Sequence, residues 1–204
     1  MVKTKIDLYK LNESEYAAKP EPALVKVGKG KYLAIEGEGA PGSESFVASI
    51  GALYGVAFTI KMTRKFAGKQ DYAVCKLEGQ WWCANVENFA AVPKESWRWK
   101  LLIRTPDFIT QKDVDSAVAV LLKRGKGKEV ERVRLESLTE GKRVQMLHIG
   151  PYDKEGETIC LMKSFAASKG YSFHGQHHEI YISDPRRVAP QKLKTILRMP
   201  VAAA

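Results

Sequence analysis

Alternating hydrophobic and polar positions recur along the chain and predict several half-buried β-strands. The clearest case is residues 97–104, where one face would carry Trp97, Trp99, Leu101 and Ile103. Similar alternation predicts strands over residues 31–38, 71–77, 130–138, 143–149, 178–182 and 193–199. We expect a turn through Glu140 and Gly141 to join the strands at 130–138 and 143–149, because glycine favours turns.

Three other segments have the spacing of amphipathic helices. The first follows an N-cap at Ser43, and its apolar positions are Phe46, Val47, Ile50, Leu53, Tyr54, Ala57 and Ile60. The second covers residues 110–124. The third begins after the break at Gly150 and Pro151 and ends at Gly170. Each helix would lay one apolar face on a sheet.

The order strand, Gly/Pro turn, helix, strand, strand occurs twice, which is a weak internal repeat. It predicts an α+β fold with antiparallel sheets, helices on one side and a ligand cleft between the two halves. We expect a peripheral N-terminal lead-in over residues 1–24 and one domain over residues 25–204. Its halves would span about residues 25–106 and 107–201.

The composition predicts a protein of a reducing compartment that does not span a membrane. The first 20 residues are polar and charged, so we expect no secretory signal. No apolar run reaches the roughly 18 residues that a membrane span needs. The three cysteines, Cys75, Cys83 and Cys160, form no C-x-x-C pair and indicate free thiols. We therefore expect a cytoplasmic protein.

The net charge of +10 suggests nucleic acid as a partner, but its distribution argues against this. Basic residues are spread along the chain, and the densest cluster, residues 123–128, follows a predicted helix and suits its C-terminal dipole. No zinc-finger spacing or RNA-binding motif is present. We expect no direct nucleic-acid binding.

The strongest candidate for chemistry is Glu179. Alternation places Glu179 and Tyr181 on one face of a short strand, with Ile180 and Ile182 on the other. A carboxylate beside an aromatic ring can pair with a ligand cation or act as a general base on water. The alternative is an exposed acid that pairs with Arg186 or Arg187.

Aromatic residues supply the other candidates. Trp81, Trp82, Trp97 and Trp99 lie within nineteen residues, a concentration that suits stacking on a planar or cationic ligand. The alternative for Trp97 and Trp99 is core packing. Tyr152 would overhang the cleft or pack on the following helix, and Glu78 would be a second pocket acid or a turn residue.

The histidines His174, His177 and His178 resemble metal ligands only superficially. A three-residue spacing chelates on a helix, but Gly175 and the following strand pattern argue against a helix here. No cysteine lies nearby, and the set departs from zinc patterns. We expect neither a metal site nor a cofactor.

Short motifs in order and spacing resemble those of the freestanding GyrI-like proteins over residues 25–201. The matching pieces are YLAIEG at 32–37 with Pro41, ALY at 52–54, DYAV at 71–74, LEGQWW at 77–82, HIGPY at 148–152, HEIYISDPRR at 178–187 and LKTILR at 193–198. The resemblance implies two βαββ units related by a pseudo-twofold axis. It also implies an aromatic pocket with a central glutamate that takes planar, hydrophobic or cationic small molecules.

Some freestanding relatives hydrolyse cyclopropane-bearing, DNA-alkylating toxins, so the resemblance implies detoxification by Glu-activated water. Glu179 would be the base, with Tyr152 or Tyr181 as the donor to the leaving oxygen. The remaining ligand contacts would be Trp82, Trp99, Trp97 and Glu78. The alternatives are a non-catalytic multidrug-binding protein and, by the name-giving relative alone, a protector of a protein partner such as DNA gyrase. A homodimer is compatible with either function.

Overall fold

Seven strands and five α-helices are found in residues 4–83 and 92–204, which are the residues that the computed structural model describes. The strands are β1 (Ala23–Glu38), β2 (Leu77–Trp82), β3 (Arg98–Thr105), β4 (Arg134–Ile149), β5 (Tyr171–Phe173), β6 (His177–Tyr181) and β7 (Lys194–Ala203). The helices are α1 (Leu8–Leu11), α2 (Glu13–Tyr16), α3 (Glu44–Phe66), α4 (Gln111–Lys123) and α5 (Glu155–Ser168).

Six of these strands close into an antiparallel barrel in the order β4-β1-β3-β2-β6-β7, and pairing of β4 with β7 completes the ring. The short β5 continues the sheet beyond the part of β7 that pairs with β4. The predicted α+β class with antiparallel strands is confirmed. The halves share one closed sheet, because the 16-residue strands β1 and β4 are long enough to pair across the halves as well as within them.

Two strand predictions were wrong. Residues 134–149 form one strand, and its pairing with β1 keeps the same register on both sides of Glu140. Gly141 takes a φ of +70°, which glycine adopts without ending the strand. Residues 71–76 form no strand; Tyr72 makes only an isolated bridge with Ile6, and β2 begins at Leu77.

The helix predictions were accurate at their starts. The Ser43 hydroxyl accepts a hydrogen bond from the Phe46 amide at 3.4 Å, and Thr110 with Asp113 forms a capping box. By length and composition alone, α3 could cross a bilayer. Its apolar side is instead buried against the outer face of the barrel, where α5 also packs.

The inner face of the barrel is filled by a charged network. His178 lies between two acids, with Nδ1 2.8 Å from Glu140 Oε2 and Nε2 3.1 Å from Glu78 Oε2. Arg198 donates to Glu140 Oε1 at 2.9 Å and to Gln145 Oε1 at 2.6 Å. Because each buried charge has a partner of opposite sign, the network holds β2, β4, β6 and β7 in register.

The N-terminal lead-in closes one part of this interior and is not peripheral. Tyr16, 8% exposed, donates its hydroxyl proton to Glu78 Oε1 at 3.0 Å. The guanidinium groups of Arg104 and Arg198 lie 5.5 Å and 5.2 Å from the Tyr16 ring centre. Sequence position alone gave no sign of this, because the hydrogen-bond partners of the Tyr16 hydroxyl are at least 62 residues away.

Candidate functional site

The candidate site lies on the outer face of the barrel, where β2 from the first half pairs with β6 from the second. Glu179 is directly opposite Gly79 in this pairing. Glu179 and Tyr181 face outward while Ile180 is fully buried, as the alternation predicted. The strand therefore presents a carboxylate at the junction of the two halves.

A second carboxyl group, Glu155, joins Glu179 from the first turn of α5. Ligand atoms of Glu155, His177 and Glu179 all lie within 4.8 Å of one another. Glu155 is 7% exposed, and its Oε1 has no hydrogen-bond partner among the described residues. Burial, the Glu179 carboxylate and a hydrogen bond with it raise the pKa of Glu155 well above its ordinary value, so Glu155 holds a proton that the two carboxyl groups share at neutral pH.

His177 holds the other side of Glu179. Its Nε2 is 3.1 Å from Glu179 Oε1, and its Nδ1 is 3.1 Å from Met199 Sδ. The imidazole thus holds one oxygen of the Glu179 carboxylate, and the same carboxylate also lies close to Glu155. Among the described residues, Glu155, His177 and Glu179 are the group close enough to hold a metal ion. The absence of a metal site stays a prediction.

A hydrogen bond from Trp81 orients the Tyr181 side chain. The Trp81 indole Nε1 donates a hydrogen bond to the Tyr181 hydroxyl at 3.1 Å, and the hydroxyl donates its own proton to the Glu179 carboxylate. Burial and the neighbouring Glu179 carboxylate hold the pKa of Tyr181 well above its ordinary value. This side chain stays neutral and is a hydrogen-bond donor beside the acid pair.

Tyr152 stands at the rim, after the Gly150–Pro151 break. Its ring meets the Tyr181 ring edge-on, with centres 6.0 Å apart, and the residue is 40% exposed. Burial and the carboxylates of Glu179 and Glu155 raise the pKa of Tyr152 to about 12. A half-exposed aromatic hydroxyl above two carboxyl groups can contact both a ligand and solvent.

Comparison with known proteins agrees with this architecture. Residues 104–202 match the model of the GyrI-like small molecule binding domain. A solved structure of an uncharacterized conserved protein from Listeria innocua is 35% identical, with a TM-score of 0.91 over 97% of this chain and 100% of that one. The chain belongs to the GyrI-like family.

A second solved structure, described as a hydrolase from Listeria innocua, is 35% identical with a TM-score of 0.89, covering 98% of this chain and 100% of that one. The C-terminal domain of EcmrR is 12% identical with a TM-score of 0.58, over 90% of this chain and 98% of that one, and shows the shared fold alone. No curated protein gives a significant match.

The structure brings together only some of the residues expected in the GyrI-like pocket. Glu179, Tyr181 and Tyr152 form the cluster just described. Glu78 does not face it: Glu78 points inward, fully buried, and binds Tyr16 and His178. The two acids expected on two sides of one cleft lie on opposite faces of the sheet. Glu179 pairs with Gly79, so Glu78, one residue earlier in β2, points to the other face.

The tryptophans are distributed over three environments. Trp97 packs edge-on against Trp81, with ring centres 5.8 Å apart, and donates its Nε1 proton to the Val92 carbonyl. Trp99 is core, 1% exposed, with its ring over Gly37. Trp82 and an edge of Trp99 line a separate surface depression of about 660 Å³. A ligand role for Trp82 and Trp99 stays a prediction and would belong to that depression.

Sequence reasoning missed Glu155 and Gly79 as parts of the site, and it considered Trp81 only as one of four stacking candidates and His177 only as a superficial metal ligand. One signal was available in the sequence: His177 shares the face of Glu179 by simple alternation. The pairing of Trp81 with Trp99 across β2 and β3 is seen only in the structure. Glu155 looked like an ordinary acid of a first helical turn, which is favourable by itself. Its closeness to Glu179 is seen only in the folded structure, where α5 packs on the barrel.

Proposed function

We propose that this protein binds planar, hydrophobic or cationic small molecules over the Glu155–Glu179 pair and hydrolyses cyclopropane-bearing alkylating compounds. The observation that carries the proposal is the pair itself: a protonated carboxyl group, Glu155, beside a second carboxyl group, Glu179, in a partly dry aromatic site. Paired groups held in different protonation states are the arrangement that acid–base catalysis uses.

The reaction would add water across the strained ring. The oxygen of water forms a bond to the least hindered cyclopropane carbon, and Glu179 takes a proton from that water. The ring carbon–carbon bond breaks, and its electron pair moves through the conjugated ring to the ketone oxygen, which becomes a phenolate. Tyr152 at the rim donates a hydrogen bond to this oxygen. Opening the ring removes the electrophile that alkylates DNA.

The neighbours of Glu179 support its use as the base. His177 Nε2 fixes one oxygen at 3.1 Å, and the neutral Glu155 lets the two carboxyl groups share the site without mutual repulsion. The half-exposed Tyr152 ring, with Tyr181 edge-on to it, gives an aromatic surface for a planar substrate. The name of the Listeria innocua hydrolase, 35% identical over its whole length, supports the hydrolytic assignment.

We also infer that the two βαββ units are related by a pseudo-twofold axis. Exchanging β1 with β4, β2 with β6 and β3 with β7 leaves the order of strands around the barrel unchanged. Such an axis would pass between β2 and β6, beside the Gly79–Glu179 pair. This arrangement supports a ligand site at the junction of the halves.

The second candidate is a binding protein without catalysis. The half-exposed Tyr152 above carboxyl groups is an arrangement that holds a lipophilic cation by ring stacking and one ion pair. Sequestration would then protect against cationic drugs. Its signature is affinity for aromatic cations without any change in the bound molecule.

The test is a turnover assay with a duocarmycin-type cyclopropane compound, followed by chromatography of the ring-opened product. Wild type is compared with Glu179→Gln and with Glu157→Gln, which changes an exposed acid two residues from Glu155 on α5. We expect product from wild type and Glu157→Gln and a loss of about 100-fold or more for Glu179→Gln. Wild-type protein that binds the compound but leaves it intact would favour the binding function.

A further inference from the structure

We propose that the Glu155–Glu179 pair also hydrates small aryl epoxides to vicinal diols, with Glu179 as the base for water and Glu155 as the proton donor to the epoxide oxygen. This inference rests on the proposed use of Glu179 as a base. It adds a proton donor and a second class of strained-ring substrate.

The short separation of the two carboxyl groups is the first argument. An oxygen atom of one lies within 4.8 Å of an oxygen atom of the other. In an epoxide the attacked carbon and the leaving oxygen are bonded neighbours, so the base and the acid must also be close together. In a cyclopropane joined to a conjugated ketone, those two atoms lie at opposite ends of a six-membered ring. The spacing of Glu155 and Glu179 therefore suits the more compact substrate.

The orphaned oxygen of Glu155 is the second argument. Glu155 Oε1 is buried and has no hydrogen-bond partner among the described residues, and Glu155 as a whole is only 7% exposed. Buried polar atoms are nearly always hydrogen-bonded, and an unpaired one destabilises the fold. An epoxide oxygen placed beside this carboxyl group would supply the missing partner.

The need of the leaving group for a proton is the third argument. An epoxide opens to an alkoxide, which is far more basic than the delocalised phenolate that a cyclopropane compound releases. The alkoxide therefore needs a group that transfers a proton to it completely, and a neutral carboxylic acid is such a general acid. The raised pKa of Glu155 keeps this proton in place at neutral pH.

The proposed step balances without any co-reactant except water. The water oxygen forms a bond to an epoxide carbon, and Glu179 takes the proton that the water loses. The carbon–oxygen bond of the ring breaks, and the oxygen takes the electron pair together with the Glu155 proton. Glu179 then returns a proton directly to Glu155, since the two groups are neighbours, and the diol leaves.

The neighbouring aromatic side chains select for an aryl substituent. Tyr181 and Tyr152 meet edge-on beside the acid pair, and the Trp81 indole lies against Tyr181. A phenyl ring can stack on the half-exposed Tyr152 ring while its epoxide reaches the carboxyl pair. Styrene oxide is therefore a suitable probe.

The experiment incubates styrene oxide with purified protein in water enriched in oxygen-18 and measures phenylethanediol by chiral chromatography and mass spectrometry. The variants are Glu155→Gln, Glu155→Asp, Glu179→Gln and the exposed-acid control Glu157→Gln. The same five proteins are assayed in parallel with the cyclopropane compound. Thermal unfolding of each variant checks that it is folded.

We expect wild type and Glu157→Gln to form singly labelled diol faster than buffer, and both Gln variants of the pair to lose about 100-fold or more. Glu155→Asp, which keeps an acid, should retain more activity than Glu155→Gln. The Glu155→Gln change should slow epoxide hydration more than cyclopropane opening. Diol formation that is unaffected in Glu155→Gln would overturn the assignment of Glu155.

Failure of this inference is distinguishable from failure of the proposed function. Cyclopropane opening without diol formation by the wild-type protein would overturn the epoxide activity and leave the proposed function intact. Diol formation without cyclopropane opening would support the acid–base pair and reject the cyclopropane substrate. Absence of both products would overturn both hydrolytic activities.

Discussion

At the scale of single residues, the site depends as much on a missing side chain as on the reactive ones. Gly79 lies opposite Glu179, and a Cβ there would come within 2.9 Å of the Tyr181 hydroxyl oxygen and 3.0 Å of Trp81 Nε1. The hydrogen bond between Trp81 and Tyr181 occupies the space that glycine leaves. The sequence shows this glycine just after a predicted strand, whereas the structure places it inside β2, where glycine is usually unfavourable and here has a packing reason.

The change Gly79→Ala should therefore displace the Tyr181 hydroxyl and destabilise the fold by about 1–3 kcal/mol, the usual range for overpacking. Ligand affinity and turnover should fall with it. Urea denaturation measures the free energy of unfolding, and a titration with an aromatic cation measures binding.

Gly51→Ala is the matched control, because Gly51 lies in α3 and a Cβ added there would meet no atom within 4 Å. Alanine should stabilise that helix by roughly 0.5–1 kcal/mol. A Gly79→Ala protein as stable and as active as wild type would contradict the packing role.

At the scale of elements, β6 carries different chemistry on its two faces. Glu179 and His177 face outward to the site, while His178 faces the barrel interior between Glu78 and Glu140. Alternation in the sequence assigned Glu179 and Tyr181 to one face correctly. It could not show that the opposite face meets charged rather than apolar neighbours, because those neighbours come from β2, β4 and β7.

The interior network predicts a loss of stability at high pH. The acids Glu140 and Glu78 raise the pKa of His178 to about 9 against the opposing effect of burial. A pKa raised on folding means that the contribution is complete below the ordinary value of about 6.5 and is lost as pH rises through 9. Its full size is on the order of 3 kcal/mol.

The measurement is the free energy of unfolding between pH 6 and 10 for wild type and His178→Gln. The difference between the two proteins should shrink as pH rises from 6.5 to 9. His174→Gln, at an exposed histidine, should follow the wild-type curve throughout. A constant difference across this range would show that His178 is neutral in the fold.

At the scale of the whole molecule, closure of the barrel makes the two halves interdependent. β4 pairs with β1, β2 pairs with β6, and α3 of the first half packs on α4 of the second, so strand pairing and helix packing both join the halves. The family model matches only residues 104–202, yet this segment holds most of three of the six barrel strands. Separating the halves would expose unpaired edges on β4 and β6.

We therefore predict that a fragment of residues 107–204 does not fold alone and that mixing it with residues 1–106 restores a cooperative unfolding transition. Circular dichroism with denaturant measures each fragment and the mixture. A fragment that unfolds cooperatively by itself would show that the second half is an independent domain.

The sequence by itself determined the starts of the helices, the α+β class and the outward direction of Glu179. These features depend on local rules: N-caps such as Ser43 and Thr110, and the twofold period of a strand. They require no knowledge of distant residues, because side chains within one element are related by fixed geometry.

Tertiary structure alone decided which groups meet. It brought Glu155 from α5 to Glu179, placed Glu78 on the opposite face, inserted Tyr16 into the interior and ran β4 through Gly141 without a turn. Each outcome depends on pairing or packing between elements far apart in the chain. Periodicity within one segment carries no information about such partners, and so the acid pair became visible only in the folded molecule.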